Sequence, residues 1–220
     1  RVADAASSAI HSLENPMSES YSRRAFLKKS ALTLGMVAMC HLSGTGRAFA
    51  AAAPQTANTP ERNMLIAYFS HTGNTALVAE QIQSLTGGDM HRIRTVEVYP
   101  AEHDPCSELA GRQLRADYRP ELASRVDNME SYSIIFLGYP IWWHTMPMAC
   151  WTFLESCDFT GKTIVPFCTH GGDGFANSPR DIRTLCPQTT VLEGYHTRNA
   201  HAGRMPRDVS DWLQRIGMMA

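Results

Sequence analysis

The hydrophobic positions of residues 63–220 fall into short apolar runs separated by stretches with helical spacing. Residues 64–69 (MLIAYF) are continuously apolar, which is typical of a strand buried on both faces of a parallel sheet. Val78, Ile82 and Leu85 then follow at the i, i+4, i+7 spacing of a helix that buries one face. The remaining apolar runs predict further strands at 90–98, 134–137, 163–168 and 189–195.

Helices are predicted between and after these strands, at 74–85, within 100–120, and at 147–157, 178–185 and 206–216. Strands thus alternate with helices five times. This pattern predicts an α/β fold, a doubly wound five-stranded parallel sheet with helices on both faces. Pro166 lies inside the fourth predicted strand, where it cannot donate a hydrogen bond to the ladder.

Residues 1–50 have the features of an N-terminal extension with a cleavable signal peptide. Arg23 and Arg24 precede a mostly apolar stretch at 31–42, and residues 48–50 (AFA) form a small-residue cleavage site. The paired arginines, followed by Phe and Leu, resemble a twin-arginine signal. A basic amphipathic helix of the folded domain is the alternative interpretation.

A signal of this kind predicts export to the periplasm or the extracellular space, with cleavage near Ala50. The twin-arginine route carries proteins that are already folded, so a cofactor-binding cargo is expected. Residues 51–62 are rich in Ala, Pro, Thr and Asn and are predicted to be a flexible lead-in. The folded domain is then expected to span 63–220.

Composition and charge argue against several classes of function. Apolar residues make up 44% of the chain and charged residues 19%, which is typical of a globular protein. Residues 1–50 hold six of the 20 basic and three of the 21 acidic residues, so the remainder carries a net charge of −4 and lacks the basic excess of a nucleic-acid binder. No apolar run approaches the ~20 residues of a membrane span, so no stable membrane anchor is expected. No cysteines have C-x-x-C spacing, which argues against a zinc site.

The first candidate site is the loop that joins the first predicted strand directly to the first helix. Ligands of open α/β sheets bind beyond the carboxyl ends of the strands, and a helix start offers unpaired N–H groups and a partial positive charge. Hydroxyl and amide side chains at this point predict a phosphate site, although the loop has no Lys or Arg and is not a P-loop. A simple helix cap would need only one such residue. The residues of this loop are Ser70, His71, Thr72, Gly73, Asn74 and Thr75.

Two later loops carry aromatic residues and glycines. The loop after the third predicted strand contains Trp142 and Trp143, whose side chains suit stacking on a planar ring. One of the two is expected to pack into the core or into a homodimer interface instead. The loop after the fourth strand, 169–178, has three glycines in four residues, which allow close backbone approach to a ligand.

Together, and in this order, the three loops resemble those of the flavodoxin family over residues 63–218, and in particular a branch of small, often exported bacterial flavodoxin-like proteins. The resemblance implies one non-covalently bound FMN, with its 5′-phosphate at residues 70–75. His71 departs from the usual pattern, but an imidazole there could donate to phosphate. The resemblance assigns ten further residues to the ring, namely Pro140, Ile141, Trp142, Trp143, His144, Thr169, His170, Gly171, Gly172 and Phe175.

The resemblance implies a redox protein that transfers electrons or reduces a small acceptor such as a quinone. No G-x-G-x-x-G motif follows a strand, so electrons are expected from a protein partner. His144 and His170 are the candidate proton donors. A non-catalytic binding protein that holds another phosphate-bearing ligand, or none, is the alternative, and a serine hydrolase is excluded because there is no G-x-S-x-G motif.

Overall fold

A computed structural model describes residues 63–198, 200 and 204–219. The chain divides into two units, Arg1–Gln55 and Thr56–Ala220, and all described residues belong to the second. The predicted signal peptide, its cleavage site and the lead-in at 51–62 lie outside the described residues.

The described residues form one sheet with helices between its strands. The strands are β1 (Met64–Tyr68), β2 (Asp89–Arg92), β3 (Ile134–Pro140), β4 (Thr163–Thr169), β5 (Thr190–Val191) and β6 (Tyr195–Thr197). The helices are α1 (Asn74–Thr86), α2 (His103–Arg115), α3 (Met148–Glu155), α4 (Ser178–Leu185) and α5 (Met205–Arg215), with a 3-10 turn at Met129–Ser131. All strand pairs are parallel in the order β2-β1-β3-β4-β5, and β6 extends the fifth position along β4. The predicted doubly wound α/β fold is confirmed.

The second strand is shorter than the apolar pattern predicted. It ends at Arg92, whereas the prediction placed it at 90–98. Its neighbour in the sheet, β1, ends at Tyr68, which lies opposite Arg92, so the ladder has no partner beyond this point. Thr95 instead forms an antiparallel bridge to Leu122, which draws the chain away from the sheet.

Pro166 explains why the fifth position of the sheet consists of two short strands. Residues two apart on a strand direct their backbone groups to the same neighbour, and Ile164 accepts a hydrogen bond from Leu192 on that side (3.0 Å). Pro166 has no N–H with which to continue the ladder. Pairing therefore stops at β5 and resumes at β6, opposite Phe167.

The sheet separates two hydrophobic layers. Ile135, Leu137 and Tyr139 of β3 face a layer covered by α2, α3 and α4. Ile134 and Phe136, on the opposite face, pack in a layer covered by α1 and α5. This burial on both faces is the reason the strands read as continuous apolar runs. Within residues 63–198 and 204–219, no helix is both long and apolar enough to cross a membrane.

Candidate functional site

A cleft opens where β1, β3 and β4 end. Its cavity volume is about 480 Å³, within the range of small-molecule and cofactor sites. Each of the three predicted loops contributes to its wall. The predicted residues that line it are His71, Thr72, Thr75, Pro140, Ile141, Trp142, Trp143, His144 and Thr169.

The β1–α1 loop, residues 69–73, shapes one end of the cleft. Gly73 precedes α1 with a φ of 94°, a conformation that side chains disfavour, and its carbonyl accepts the N–H of Leu77. The Ser70 hydroxyl, which is buried, accepts the N–H of Ala76 at 3.2 Å and therefore serves the helix rather than the cleft. Thr72 lines the cleft and accepts a hydrogen bond from the Asn74 amide at 3.2 Å.

A hydroxyl pair ties this end of the cleft to the sheet. The hydroxyls of Thr75 on α1 and Thr169 on β4 lie 2.9 Å apart, and both side chains are buried. Each residue also lines the cleft. The pair holds the start of α1 against the end of β4, and so fixes the distance between two of the predicted loops.

Arg92 brings a positive charge to a loop that has no Lys or Arg of its own. Its guanidinium donates to the carbonyl of Ser70 at 3.1 Å. Arg92 stands opposite Tyr68 at the end of β2, so the strand register puts it beside the loop. Arg92 lies outside the loop in sequence, so the loop motif alone does not predict this cation.

The β3–α3 loop, residues 141–147, begins with a tight turn. Trp142 and Thr145 exchange two backbone hydrogen bonds of 2.8 and 3.1 Å. The two central residues, Trp143 and His144, have φ of 50° and 62°, as in a type I′ turn. Such turns favour Gly, Asn or Asp, and a left-handed backbone costs other residues about 1–2 kcal/mol each.

Helix α4 anchors this turn from below. The Thr145 hydroxyl donates to the Asp181 carboxylate at 2.6 Å, and both side chains are buried. The backbone N–H of Asn177 donates to the carbonyl of His144 at 3.0 Å. The contact with a buried carboxylate makes the turn a fixed part of the cleft wall.

The two tryptophans have different surroundings. Trp142 packs against the core, with its ring edge-on to those of Phe69 and Tyr99 at centroid distances of 5.4 and 5.2 Å. Trp143 is 50% exposed and lies on α2, where its indole N–H donates to the Ser107 carbonyl at 2.9 Å and its ring covers Gly111. Both nevertheless line the cleft.

The β4–α4 loop, residues 170–177, is held largely by side chains. Nδ1 of His170 accepts the N–H of Gly174 at 3.1 Å, so its proton must be on Nε2, which donates to Nδ1 of His196 at 3.0 Å. Arg198 donates to the carbonyl of Gly171 at 2.8 Å. Burial lowers the pKa of His170, and the charges of His196 and Arg198 lower it further. The neutral imidazole is therefore the form that holds this loop.

Phe175 connects this loop to the gap in the sheet. Its ring is edge-on to His196 at 5.3 Å and lies over Gly194, between β5 and β6. A Cβ at Gly194 would collide with the Phe175 ring and with the Pro166 carbonyl. Phe175 and His170 thus support the wall of the cleft without lining it. The predicted residues that do not line the cleft are Ser70, Gly73, Asn74, His170, Gly171, Gly172 and Phe175.

Asp173 joins the two loops that face each other across the cleft. Its carboxylate lies 3.1 Å from Nδ1 of His144, with side-chain exposures of 54% and 70%. Both residues line the cleft. Within the described part of the chain, no group of three or more His, Cys, Asp or Glu could hold a metal ion.

Six residues that line the cleft were not predicted from the sequence. Five belong to α2 and the residues before it, and the sixth lies in the β4–α4 loop. The one available signal is a set of small residues on an otherwise polar helix, which lets another group approach closely. The six are Ala101, His103, Cys106, Ser107, Ala110 and Asp173.

Comparisons with known proteins agree with this architecture. A family model described as flavodoxin matches residues 63–216. A solved structure of a protein from Bacteroides eggerthii is 31% identical, with 70% of this chain and 98% of that chain covered and a TM-score of 0.61. A solved structure of a protein from Bacteroides uniformis is 30% identical, with 69% of this chain and 97% of that chain covered and the same TM-score of 0.61.

A Lactobacillus acidophilus flavoprotein in complex with FMN shares the fold, with 20% identity, a TM-score of 0.56, and 69% of this chain and 98% of that chain covered. No curated protein matches the chain. The family match covers most of the chain, and its limits coincide with the described α/β domain. The chain belongs to the flavodoxin family.

Proposed function

We propose that this chain binds one FMN non-covalently in the cleft and acts as a redox protein. The observation that carries the proposal is the combination of groups in the cleft wall. Threonine hydroxyls at the start of α1 and the indole rings of Trp142 and Trp143 line the same cleft. A phosphate monoester fits the first group and a flat aromatic ring fits the second.

The residues at the N-terminus of α1 fit a phosphate. Thr72 and Thr75 offer hydroxyls at the N-terminus of α1, where the helix carries a partial positive charge. The guanidinium of Arg92 adds a full charge beside the same loop. The two hydroxyls would hold and orient the phosphate, Arg92 would add long-range attraction from outside the cleft wall, and Ser70 keeps the helix start in place.

The two indole rings of the cleft wall fit a planar ring. Trp142 and Trp143 would exclude water from one side of it. FMN, when bound, supplies one- and two-electron chemistry, and the protein tunes it through such contacts. The Lactobacillus acidophilus structure contains FMN, which supports this choice of ligand.

The same proposal names the redox partners. A small molecule such as a quinone is the acceptor, and a protein is the expected electron donor, because no G-x-G-x-x-G motif follows a strand. Export to the periplasm or beyond, directed by residues 1–50, is part of the same proposal.

The test is an absorbance spectrum of the purified full chain before and after FMN is added. We expect flavin bands near ~375 and ~450 nm and one FMN released per chain. A colourless protein that takes up no FMN in excess would contradict the proposal and favour a binding protein for another ligand.

A hydroxyl deletion tests the orientation of the ligand. Thr72→Val should weaken FMN about 10- to 100-fold, the value of a hydrogen bond to a charged group, and should leave riboflavin, which has no phosphate, unchanged. Ser84→Ala removes a hydroxyl from the far end of the same helix and should alter neither affinity. Equal losses for FMN and riboflavin would place the phosphate elsewhere.

A further inference from the structure

His144 occupies a strained position that packing does not explain. Its backbone is left-handed, at a turn position where glycine or asparagine would be relaxed. The neighbouring Trp143 is accounted for by its contacts with α2, but the His144 side chain is 70% exposed and buries little surface. Strained residues of this kind concentrate at functional sites, because the surrounding structure must hold them there.

Asp173 lies within ion-pair distance of His144. Its carboxylate oxygen is 3.1 Å from Nδ1, and because a carboxylate can only accept, this contact favours a proton on Nδ1. With Nδ1 beside the carboxylate, Nε2 is the nitrogen left to donate to a ligand in the cleft.

The other acids around the cleft are less suited to donate a proton there. His103 pairs with its own neighbour Asp104, both 91% exposed, which does not orient it across the cleft. Burial raises the pKa of the Cys106 thiol, so it holds its proton. Both ring nitrogens of His170 are engaged, as described above, and His71 stands edge-on to Trp142 at the phosphate end.

We propose that His144, held by Asp173, is the catalytic acid that protonates a quinone-type acceptor in this cleft, an inference that rests on the FMN-dependent function proposed above. Reduction of a quinone to a quinol needs two electrons and two protons. FMN, when bound and reduced, would supply both electrons and one proton together as a hydride. The carbonyl oxygen of the acceptor takes the second proton as the Nε2–H bond of His144 breaks, and solvent returns a proton to Nε2 through the exposed side of the ring.

The experiment compares two acceptors that differ in their need for a proton. The full chain is loaded with FMN, reduced anaerobically and mixed in a stopped-flow instrument with either a water-soluble benzoquinone or ferricyanide, which takes one electron and no proton. His144→Asn removes the acid and suits the left-handed backbone. We expect it to slow quinol formation by about 100-fold or more, the usual contribution of a general acid, and to leave the ferricyanide rate unchanged.

Two carboxylate variants refine this result. Asp173→Asn keeps an oxygen that can accept from Nδ1 but removes the charge, so we expect about a tenfold loss with the quinone alone. Asp211→Asn removes an exposed charge on α5 and should change neither rate. Equal slowing of both acceptors by His144→Asn, or slowing of neither, would overturn the assignment.

A second readout needs no cofactor. In nitrogen-15 spectra of the FMN-free chain, His144 should be the Nδ1–H tautomer, identified by its absence in His144→Asn, and Asp173→Asn should shift it toward Nε2–H. An Nε2–H tautomer in the unaltered chain would contradict the proposed orientation. If the chain takes up no FMN at all, the redox function fails, and the tautomer still reports whether the His144–Asp173 contact exists.

Discussion

The two loops that face each other across the cleft are built in opposite ways. The β3–α3 loop has a strained backbone, but a buried hydroxyl–carboxylate contact between Thr145 and Asp181 holds it to α4. The β4–α4 loop is rich in glycine and is held by the imidazole of His170 and the guanidinium of Arg198. One wall of the cleft is therefore fixed by burial, whereas the other depends on the protonation of an accessible side chain.

The buried anchor should give the largest effect. Asp181→Ala leaves the Thr145 hydroxyl buried without its acceptor, and we expect it to lower the free energy of unfolding by about 2–3 kcal/mol in urea titrations. Asp208→Ala is the matched control, because Asp208 also lies in the first turn of a helix but is exposed. It should cost less than about 1 kcal/mol, the helix-dipole contribution alone. Similar losses for both variants would mean that the β3–α3 loop is not anchored from below.

The contact between Trp143 and α2 should give an intermediate change in the free energy of unfolding, and its sign should depend on whether the indole ring is present. A Cβ at Gly111 would lie 2.9 Å from the Trp143 ring, so Gly111→Ala should destabilise the protein by about 1 kcal/mol and displace the indole. In a Trp143→Ala background the same change should stabilise by about 0.5–1 kcal/mol, because alanine is the better helix former. Urea titrations of the four proteins measure both values, and an unchanged sign would show that the ring does not pack there.

Relief of backbone strain should give a smaller, stabilising effect. Asparagine tolerates the left-handed region, so His144→Asn should raise the free energy of unfolding by about 0.5 kcal/mol once the exposed ion pair is lost. Thermal and urea unfolding at neutral pH check this. A loss of stability would mean that the His144–Asp173 contact outweighs the strain.

The opposite wall should respond to acid. Because the folded loop lowers the pKa of His170 from 6.5, its stabilising contribution is complete above pH 6.5 and is lost as the pH falls through the lowered value. Protonation removes the acceptor of the Gly174 N–H, so the amide resonance of Gly174 should titrate there, while that of Thr145 should not. His196→Asn removes a charge that lowers the pKa of His170, so the midpoint of the Gly174 titration should move to higher pH. Asp173→Asn removes a charge that raises this pKa, so the midpoint should move to lower pH. A pH-independent Gly174 resonance would contradict the tautomer assigned to His170.

The fold could be predicted from the sequence because burial on both faces of a parallel sheet leaves uninterrupted apolar runs. The errors fall where the runs depend on pairing partners. Residues 93–98 are apolar enough for a strand, but β1 is too short to pair with them. Likewise, Pro166 predicted a missing hydrogen bond in β4. The hydrophobic pattern could not show that this missing bond would divide the neighbouring strand into β5 and β6.

The candidate site could be predicted as far as its loops are continuous in sequence. Local motifs predicted Thr72, Trp142 and Thr169 as site residues, and all three lie in the cleft wall. Arg92 and Asp173 could not be found in this way, because the first depends on strand register and the second on how two loops fold toward each other. That the predicted residues bind FMN stays a prediction.

The gap between β5 and β6 has a consequence for how this domain can diverge. Pro166 opens the gap, Gly194 leaves its space empty, and the ring of Phe175 fills that space from the β4–α4 loop. A relative with a side chain at position 194 must move the aromatic ring at position 175. A relative without the proline at position 166 can join β5 and β6 into one strand, which leaves no space for that ring. The three positions are separate in sequence, and we expect them to be inherited as one character, with replacements at one accompanied by replacements at the others.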